Sequence, residues 1–407
     1  MALISVADAL GRVIGSVAEP VSAEEVRIGE AAGRTLAGDL AALRTQPPFA
    51  ASAMDGYAVQ AADLAIVPAR LTVVGRSVAG RGHGGSVGPG DAVRIFTGAP
   101  IPDGADAIVI QEDTDLGEPE VEVREHAVPG RFIRPAGLDF REGQVLLHGG
   151  ERLDARRLAL AAAMGHPVLP VRRKPRVAIL ATGDELVRPG QPAGPDQIVA
   201  SNPYALRAIV ERAGGEAVDL GIAKDALDDL RRAIEAAREA RADLLITLGG
   251  ASVGEHDLVQ TALADGGMEL GFWRVALRPG KPLMHGRLGR MLLLGLPGNP
   301  VSSIVCGILF VVPAIRALLG DPLAGEDPTE AAVLGGDLSA NDTRQDYLRA
   351  RLERGRDGEL VATAERRQDS SMLATLASSE ALIVRAPHAP AAKAGERCRI
   401  IRLDQFC

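Results

Sequence analysis

At 407 residues, 46% hydrophobic and 24% charged, the chain has the composition of an ordinary soluble globular protein with room for about three domains. A net charge of -8 and an aromatic content of 3% provide neither a basic footprint nor base-stacking platforms, which argues against nucleic acid as the main partner. Three isolated cysteines, Cys306, Cys398 and Cys407, lack any CxxC spacing, so neither a zinc site nor a disulfide framework is indicated and a reducing cytoplasm fits.

The N-terminus has no basic leader, and Asp8 and Arg12 interrupt its apolar residues, so no signal peptide is expected. Helical apolar spacing runs over residues 1 to about 40 (Val6, Leu10, Val13, Ile14, then Ile28, Ala31, Leu36). The paired prolines Pro47-Pro48 and an Asp55-Gly56 turn then describe an irregular segment. Short β-rich runs follow at Leu71–Val74, Ala92–Ile95, Ala107–Ile110 and Val121–Val123, which predict a compact antiparallel β module inserted between helical pieces. Leu153, Leu158, Leu160 and Met164 return to helical spacing, so an elongated molecule is expected.

From Lys174 strands and helices alternate: strand Val177–Leu180, helix 203–213, strand Ala217–Ile222, helix Asp225–Ala240, strand Leu244–Leu248 and a helix from Asp257. This order predicts a doubly wound parallel or mixed α/β sheet with ligands at the strands' carboxyl ends. Polar residues gather on that rim: Thr182 to Glu185, Asp225, Gly249 to Asp257, and Pro297 to Ser303. Met291 to Ile315 is charge-free and long enough to span a bilayer, but Pro297-Gly298-Asn299-Pro300 divides it into a strand and a buried helix, so no membrane partner is expected. After Asp321-Pro322 and a polar linker, short strands at Tyr347–Ala350, Ala381–Val384 and Arg399–Leu403 predict a small β barrel or sandwich. The expected domains are residues 1–42 with 141–171 (helical), 43–140 (inserted β), 172–322 (α/β) and 327–407 (C-terminal β).

Four constellations carry chemistry. Gly249-Gly250 at a strand's end lets backbone N–H groups approach an anion, although a glycine-rich turn capped by Asp257 fits the same residues. Arg278-Pro279-Gly280-Lys281-Pro282 places two cations on a stiff loop suited to an oxyanion, or else is a solvated hairpin turn. Asn299-Pro300 opens a buried helix whose free N–H groups suit a phosphate. The rim acids Asp184, Glu185, Asp225 and Asp257 could hold Mg²⁺ against phosphates, while His256 is expected to be an exposed loop residue. No Ser/His/Asp order, P-loop or HExxH spacing supports nucleophilic or zinc hydrolysis.

Taken together, Ser52–Ala58, Arg94–Pro100, Ala181–Leu186, Gly249–Asp257, Pro279–Pro282 and Gly295–Ser302 resemble the molybdopterin molybdenumtransferases of the MoeA type, similar to the E domain of gephyrin. The resemblance implies an elongated cytoplasmic homodimer of four-domain subunits with a MogA-like third domain. Each active site would lie between domain three of one subunit and domain two of the other. It implies insertion of molybdate into adenylylated molybdopterin with Mg²⁺ and release of AMP, and transient contact with other molybdenum cofactor biosynthesis proteins. By position, Asp55, Thr97, Gly98, Arg134 and Asp139 would lie on the partner's side. Asp225 and Asp257 would hold the metal, with Glu185 beside them. Thr182, Gly249, Gly250, Ser252 and Asn299 would bind the nucleotide-bearing pterin, and Arg278, Lys281, Pro282, Ser302, Arg349 and Ser370 the molybdate. Ala50-Ala51 and Arg278 depart from the family's Asp-Asn and lysine, and Gln368-Asp369-Ser370-Ser371 matches it loosely. Rival readings are the preceding adenylylation step, a scaffold with a degenerate site, and a preference for tungstate.

Overall fold

The computed structural model describes residues 3–249 and 258–406. Gly250, Ser252, His256 and Asp257 therefore lie outside the described residues. Helix α1 (Val6–Gly15) is capped by the Ser5 hydroxyl, which accepts from the Asp8 N–H at 3.0 Å. Its buried face of Val6, Ala9 and Val13 joins the core of the central α/β unit.

The helical spacing expected beyond that point is overturned. Ala23–Arg27 is a strand, paired antiparallel with Val168–Arg172. Its largely exposed pattern carries no buried stripe to hold a helix, and its partner lies far along the chain. Helix α2 (Ala155–Ala163) forms where the spacing predicts it, capped by Asp154, whose carboxylate accepts from the Arg157 N–H at 2.9 Å.

The inserted unit is a five-stranded sheet in the order Ala107–Ile110, Gly56–Val59, Asp91–Ile95, Ala69–Ser77, Glu120–Val123. All its pairs are antiparallel except Ala69–Ser77 with Asp91–Ile95, which is parallel. Tyr57 and Val59 face one apolar cluster and Ala58 another, as strand alternation requires. Gly56 has no substitute here: a Cβ on it would sit 1.8 Å from the Val109 carbonyl oxygen of the neighbouring strand.

The central sheet has six strands: β1 (Arg176–Thr182), β2 (Glu216–Ala223), β3 (Leu244–Leu248), β4 (Glu269–Trp273), β5 (Met284–Leu288) and β6 (Met291–Leu296), in the order 2-1-3-6-5-4. The first three junctions are parallel and the last two antiparallel, so the sheet is mixed. Helices α3 (Asn202–Arg212), α4 (Leu227–Glu239) and α5 (Leu258–Asp265) cover it. Val177, Ile179, Leu244 and Ile246 bury one face; Ala178, Leu180 and Leu245 bury the other. Helix α6 (Pro300–Cys306) runs through one wide turn into α7 (Val312–Leu318). Pro300–Leu318 is long and apolar enough to cross a membrane, but 89% of it is buried inside the fold.

The last five strands close into a barrel: Gln345–Arg354 pairs with both Leu360–Ala364 and Ala381–Arg385, and Glu330–Leu334 and Arg397–Arg402 complete the ring. Its interior is dominated by small residues (Ala332, Ala350, Ala362, Ala381), which suits so narrow a ring.

His285 on β5 is 3% exposed, its Nδ1–H donates to the Leu293 carbonyl at 3.0 Å, and it packs against the Phe272 ring. Burial, with help from the Arg287 charge, pulls its pKa below the ordinary histidine value. The unfolded chain therefore binds a proton more readily than the folded one below pH of about 6.5, so stability is retained above that pH and lost below it. Thermal midpoints measured from pH 7.5 down to 5 should fall more steeply for the wild type than for His285→Gln, and equal slopes would contradict the assignment.

Candidate functional site

The carboxyl ends of β1, β3 and β6 open onto a cleft of about 580 Å³. Thr182, Glu185, Gly249, Pro282, Asn299 and Ser371 are among its lining residues. Gly249 has φ +100°, and a Cβ on it would meet the Thr182 carbonyl oxygen at 2.8 Å. The glycine thus allows β1 and β3 to end side by side, with the Thr182 hydroxyl donating to the Leu248 carbonyl at 3.4 Å.

Helix α6 begins at the cleft, and two neighbours hold its first turn. Asn202, at the start of α3, donates from Nδ2 to the Gly298 carbonyl at 2.6 Å and to the Ser303 hydroxyl at 3.2 Å. From the barrel side, the Ser370 carbonyl accepts from the Val301 N–H at 3.1 Å, and the Ser370 hydroxyl accepts from Asn299 Nδ2 at 2.8 Å. The barrel segment 365–371 is thereby seated on the helix N-terminus, with Ser371 as its cleft-lining residue. Ser302 is buried on the same first turn. The sequence reading missed Asn202, although Asn202-Pro203 repeats the Asn299-Pro300 pair that it did single out.

Arg349 lies under that barrel segment with 0% exposure. Its backbone N–H donates to Gln368 Oε1 at 3.0 Å, and its Nη2 donates to the Arg367 carbonyl at 3.4 Å. Its Nε and Nη1 have no hydrogen-bond partner among the described residues. Burial pulls its pKa below the usual arginine value, although Asp369 and Glu365 oppose the shift.

The two cations of the Arg278–Pro282 loop separate in role. Arg278 is not available to the cleft: its Nε donates to Asp346 Oδ1 at 2.7 Å, its Nη2 contacts Asp346 Oδ2 and Asn341, and its Nη1 pairs with Asp342 at 3.2 Å. Two carboxylates neutralise it, and it is not among the residues that line the cleft. Lys281 is exposed next to cleft-lining Pro282 and has no ion-pair partner among the described residues. Gly280 has φ +122°, and a Cβ on it would meet the buried Cys306 sulfur of α6 at 2.6 Å, so the turn packs directly on that helix.

Of the rim acids, Asp225 has its pKa raised, first by loss of solvent around the carboxylate and then by repulsion from Asp184 and Glu185. Its N–H lies 3.4 Å from Asp184 Oδ1. Among the described residues no group of three metal-ligating side chains is preassembled, and Asp257 is outside them.

The remaining site residues form a second group on the inserted unit, and none of them lines the cleft. Asp55 Oδ1 accepts from the Thr97 N–H at 2.7 Å and from its hydroxyl at 2.8 Å, which holds the carboxylate below its ordinary pKa. Gly98 donates its N–H to the Ser52 carbonyl at 2.8 Å, and Ala51 pairs with Arg134. Arg134 and Asp139 are exposed, and the Asp139 N–H donates to the Gln46 carbonyl at 3.1 Å.

Comparison with known proteins decides the family. Family models match three consecutive stretches: the MoeA N-terminal region (domain I and II) over residues 4–165, a probable molybdopterin binding domain over 178–317, and the MoeA C-terminal region (domain IV) over 331–403. A molybdopterin molybdenumtransferase of Haemophilus influenzae is 34% identical over 98% of both chains. The chain belongs to the MoeA family. A Nostoc molybdopterin molybdenumtransferase is 40% identical over 80% of this chain and 76% of its own. A crystal structure of a MoeA protein of molybdopterin biosynthesis from Pyrococcus horikosii superposes with a TM-score of 0.82 at 30% identity, covering 98% of this chain and 99% of that one. As a MoeA-family protein, the chain is a molybdenum cofactor biosynthesis enzyme of the molybdopterin molybdenumtransferase class.

Proposed function

We propose that this enzyme inserts molybdate into adenylylated molybdopterin and releases AMP with Mg²⁺. The observation that carries the proposal is Arg349, a fully buried guanidinium with two nitrogens unpartnered among the described residues, beneath a segment that lines the cleft. An unsatisfied buried cation is unfavourable, and a tetrahedral oxyanion supplies the missing acceptors. Lys281 would bring a second charge beside cleft-lining Pro282, with Ser302 and Ser370 next to the helix start that the cleft exposes and Ser371 on its wall. Thr182, Gly249 and Asn299, with the first turn of α6, offer the polar edge along which a pyrophosphate would lie.

The donor set around Asp225 suits Mg²⁺, because its carboxylate oxygens are hard ligands and, after burial, the nearby charges of Asp184 and Glu185 raise its pKa. Asp225, with Asp257 and Glu185, would hold the ion. When bound it polarises the pyrophosphate and screens its charge. Asp55, Thr97, Gly98, Arg134 and Asp139 would close the cleft of a second copy in a homodimer, a reading supported by their clustering outside their own chain's cleft. We place the enzyme in the cytoplasm.

Purified protein given adenylylated molybdopterin and Mg²⁺ should release AMP only when molybdate is added. Asp225→Asn and Lys281→Ala should each lower that rate by at least about tenfold with unchanged thermal midpoints. Release indifferent to molybdate, or wild-type turnover in both variants, overturns the proposal; tungstate added in competition reports which oxyanion is preferred.

A further inference from the structure

The Arg278 side chain sits in a socket built by barrel residues. Asn341 donates from Nδ2 to the carbonyls of Arg344, Arg385 and Ala386 at 2.8, 3.1 and 2.8 Å, which leaves its Oδ1 aimed at Arg278. Asp342 accepts from the Arg344 N–H at 2.9 Å, and the Asp346 side chain is only 4% exposed. Three acceptors are thus held by barrel backbone and burial, and a planar guanidinium fork matches them.

Backbone pairing continues the same junction. Leu277–Arg278 runs parallel to Gln345–Asp346 as a sixth strand on the barrel, and the Gln345 N–H donates to the Ala276 carbonyl at 2.8 Å. Asp346 and Arg349 lie on one strand, about 10 Å apart along it at the usual rise per residue. On the other side of the junction Lys281 follows Arg278 by three residues, across the Pro279-Gly280 turn that is packed on Cys306.

We infer that Arg278 is a positioning residue: its grip on Asp346, Asp342 and Asn341 fixes the Lys281 loop against the strand carrying Arg349, and so sets the spacing of the two cations that receive the oxyanion. This inference rests on the proposed molybdate site. It also accounts for an arginine at this position, because a lysine offers a point charge and cannot fill a three-acceptor socket.

The test is a double-mutant cycle on the full-length protein, with molybdate as the varied substrate. Arg278→Ala and Asp346→Asn should each raise the KM for molybdate about tenfold, with kcat at saturation within about threefold, and the double variant should be no worse than either single one. Arg278→Lys should fail to restore the KM. Asp342→Asn, at the half-exposed edge of the socket, gives a smaller rise without burying an unpaired group. A KM unchanged or lowered by Asp346→Asn while Arg278→Ala raises it would mean that Arg278 binds the oxyanion directly, and would overturn the inference. Amide hydrogen exchange over 276–278 and 345–346 provides a readout free of substrate: it should quicken in both single variants. If the wild type shows no molybdate dependence, the proposed function fails, and unchanged exchange in these segments alone would then overturn the clamp.

Discussion

Replacing Arg349 by methionine should abolish molybdate-dependent AMP release and leave the protein at least as stable as before. The two expectations come from one geometry. The guanidinium is fully buried, and two of its nitrogens have no acceptor among the described residues. Burying a charge without satisfying it is costly, and exchanging buried charged groups for apolar ones of similar volume is commonly neutral or stabilising by about 1–4 kcal/mol. Losing a preorganised donor to a reacting oxyanion costs about 10²- to 10³-fold in rate. Thermal unfolding and AMP release measured on the same preparation check both halves. A large drop in midpoint would mean that Arg349 supports the barrel, and retained turnover would mean that it does not meet the oxyanion.

The second large effect is expected at Gly56, which lies next to Asp55 on the inserted sheet. Alanine there would place its Cβ 1.8 Å from the Val109 carbonyl oxygen, where the obstacle is backbone of a paired strand and cannot rotate away. The strand pair must separate, with loss of the ladder that buries Tyr57, Ala58 and Val59. Gly56→Ala should therefore destabilise the inserted unit by more than about 4 kcal/mol, among the largest single-residue effects. The Gln111 N–H donates to the Asp55 carbonyl at 3.0 Å, so the Asp55–Thr97 pair would move with the strand. Calorimetry should show an early transition absent from the wild type. A single wild-type transition would contradict the close approach.

Where a run is short, apolar and closed at both ends, the residues alone were enough. Val177–Leu180, Leu244–Leu248 and Ala107–Ile110 read as strands because each is short, apolar and bounded by turn residues. Asn299-Pro300 read as a helix start for reasons local to the pair. Ala23–Arg27 did not, because only its pairing with Val168–Arg172 makes it a strand. The same limit applied within the site. Arg278 looks like an anion ligand beside Lys281, and the carboxylates that occupy it lie 64 and 68 residues further along. Gly249 and Arg349 could be singled out from motif and resemblance, but nothing local shows that Arg349 would keep two donors free under a segment anchored by Asn299.

The most direct test of the account is anomalous diffraction from crystals of the full chain soaked in tungstate, a heavy stand-in for molybdate. The account predicts a peak in the cleft within hydrogen-bonding distance of Arg349 Nε or Nη1, with Lys281 Nζ turned toward it and Arg278 still paired with Asp346. A peak bound to Arg278 instead, or strong peaks elsewhere with none near Arg349, would contradict it.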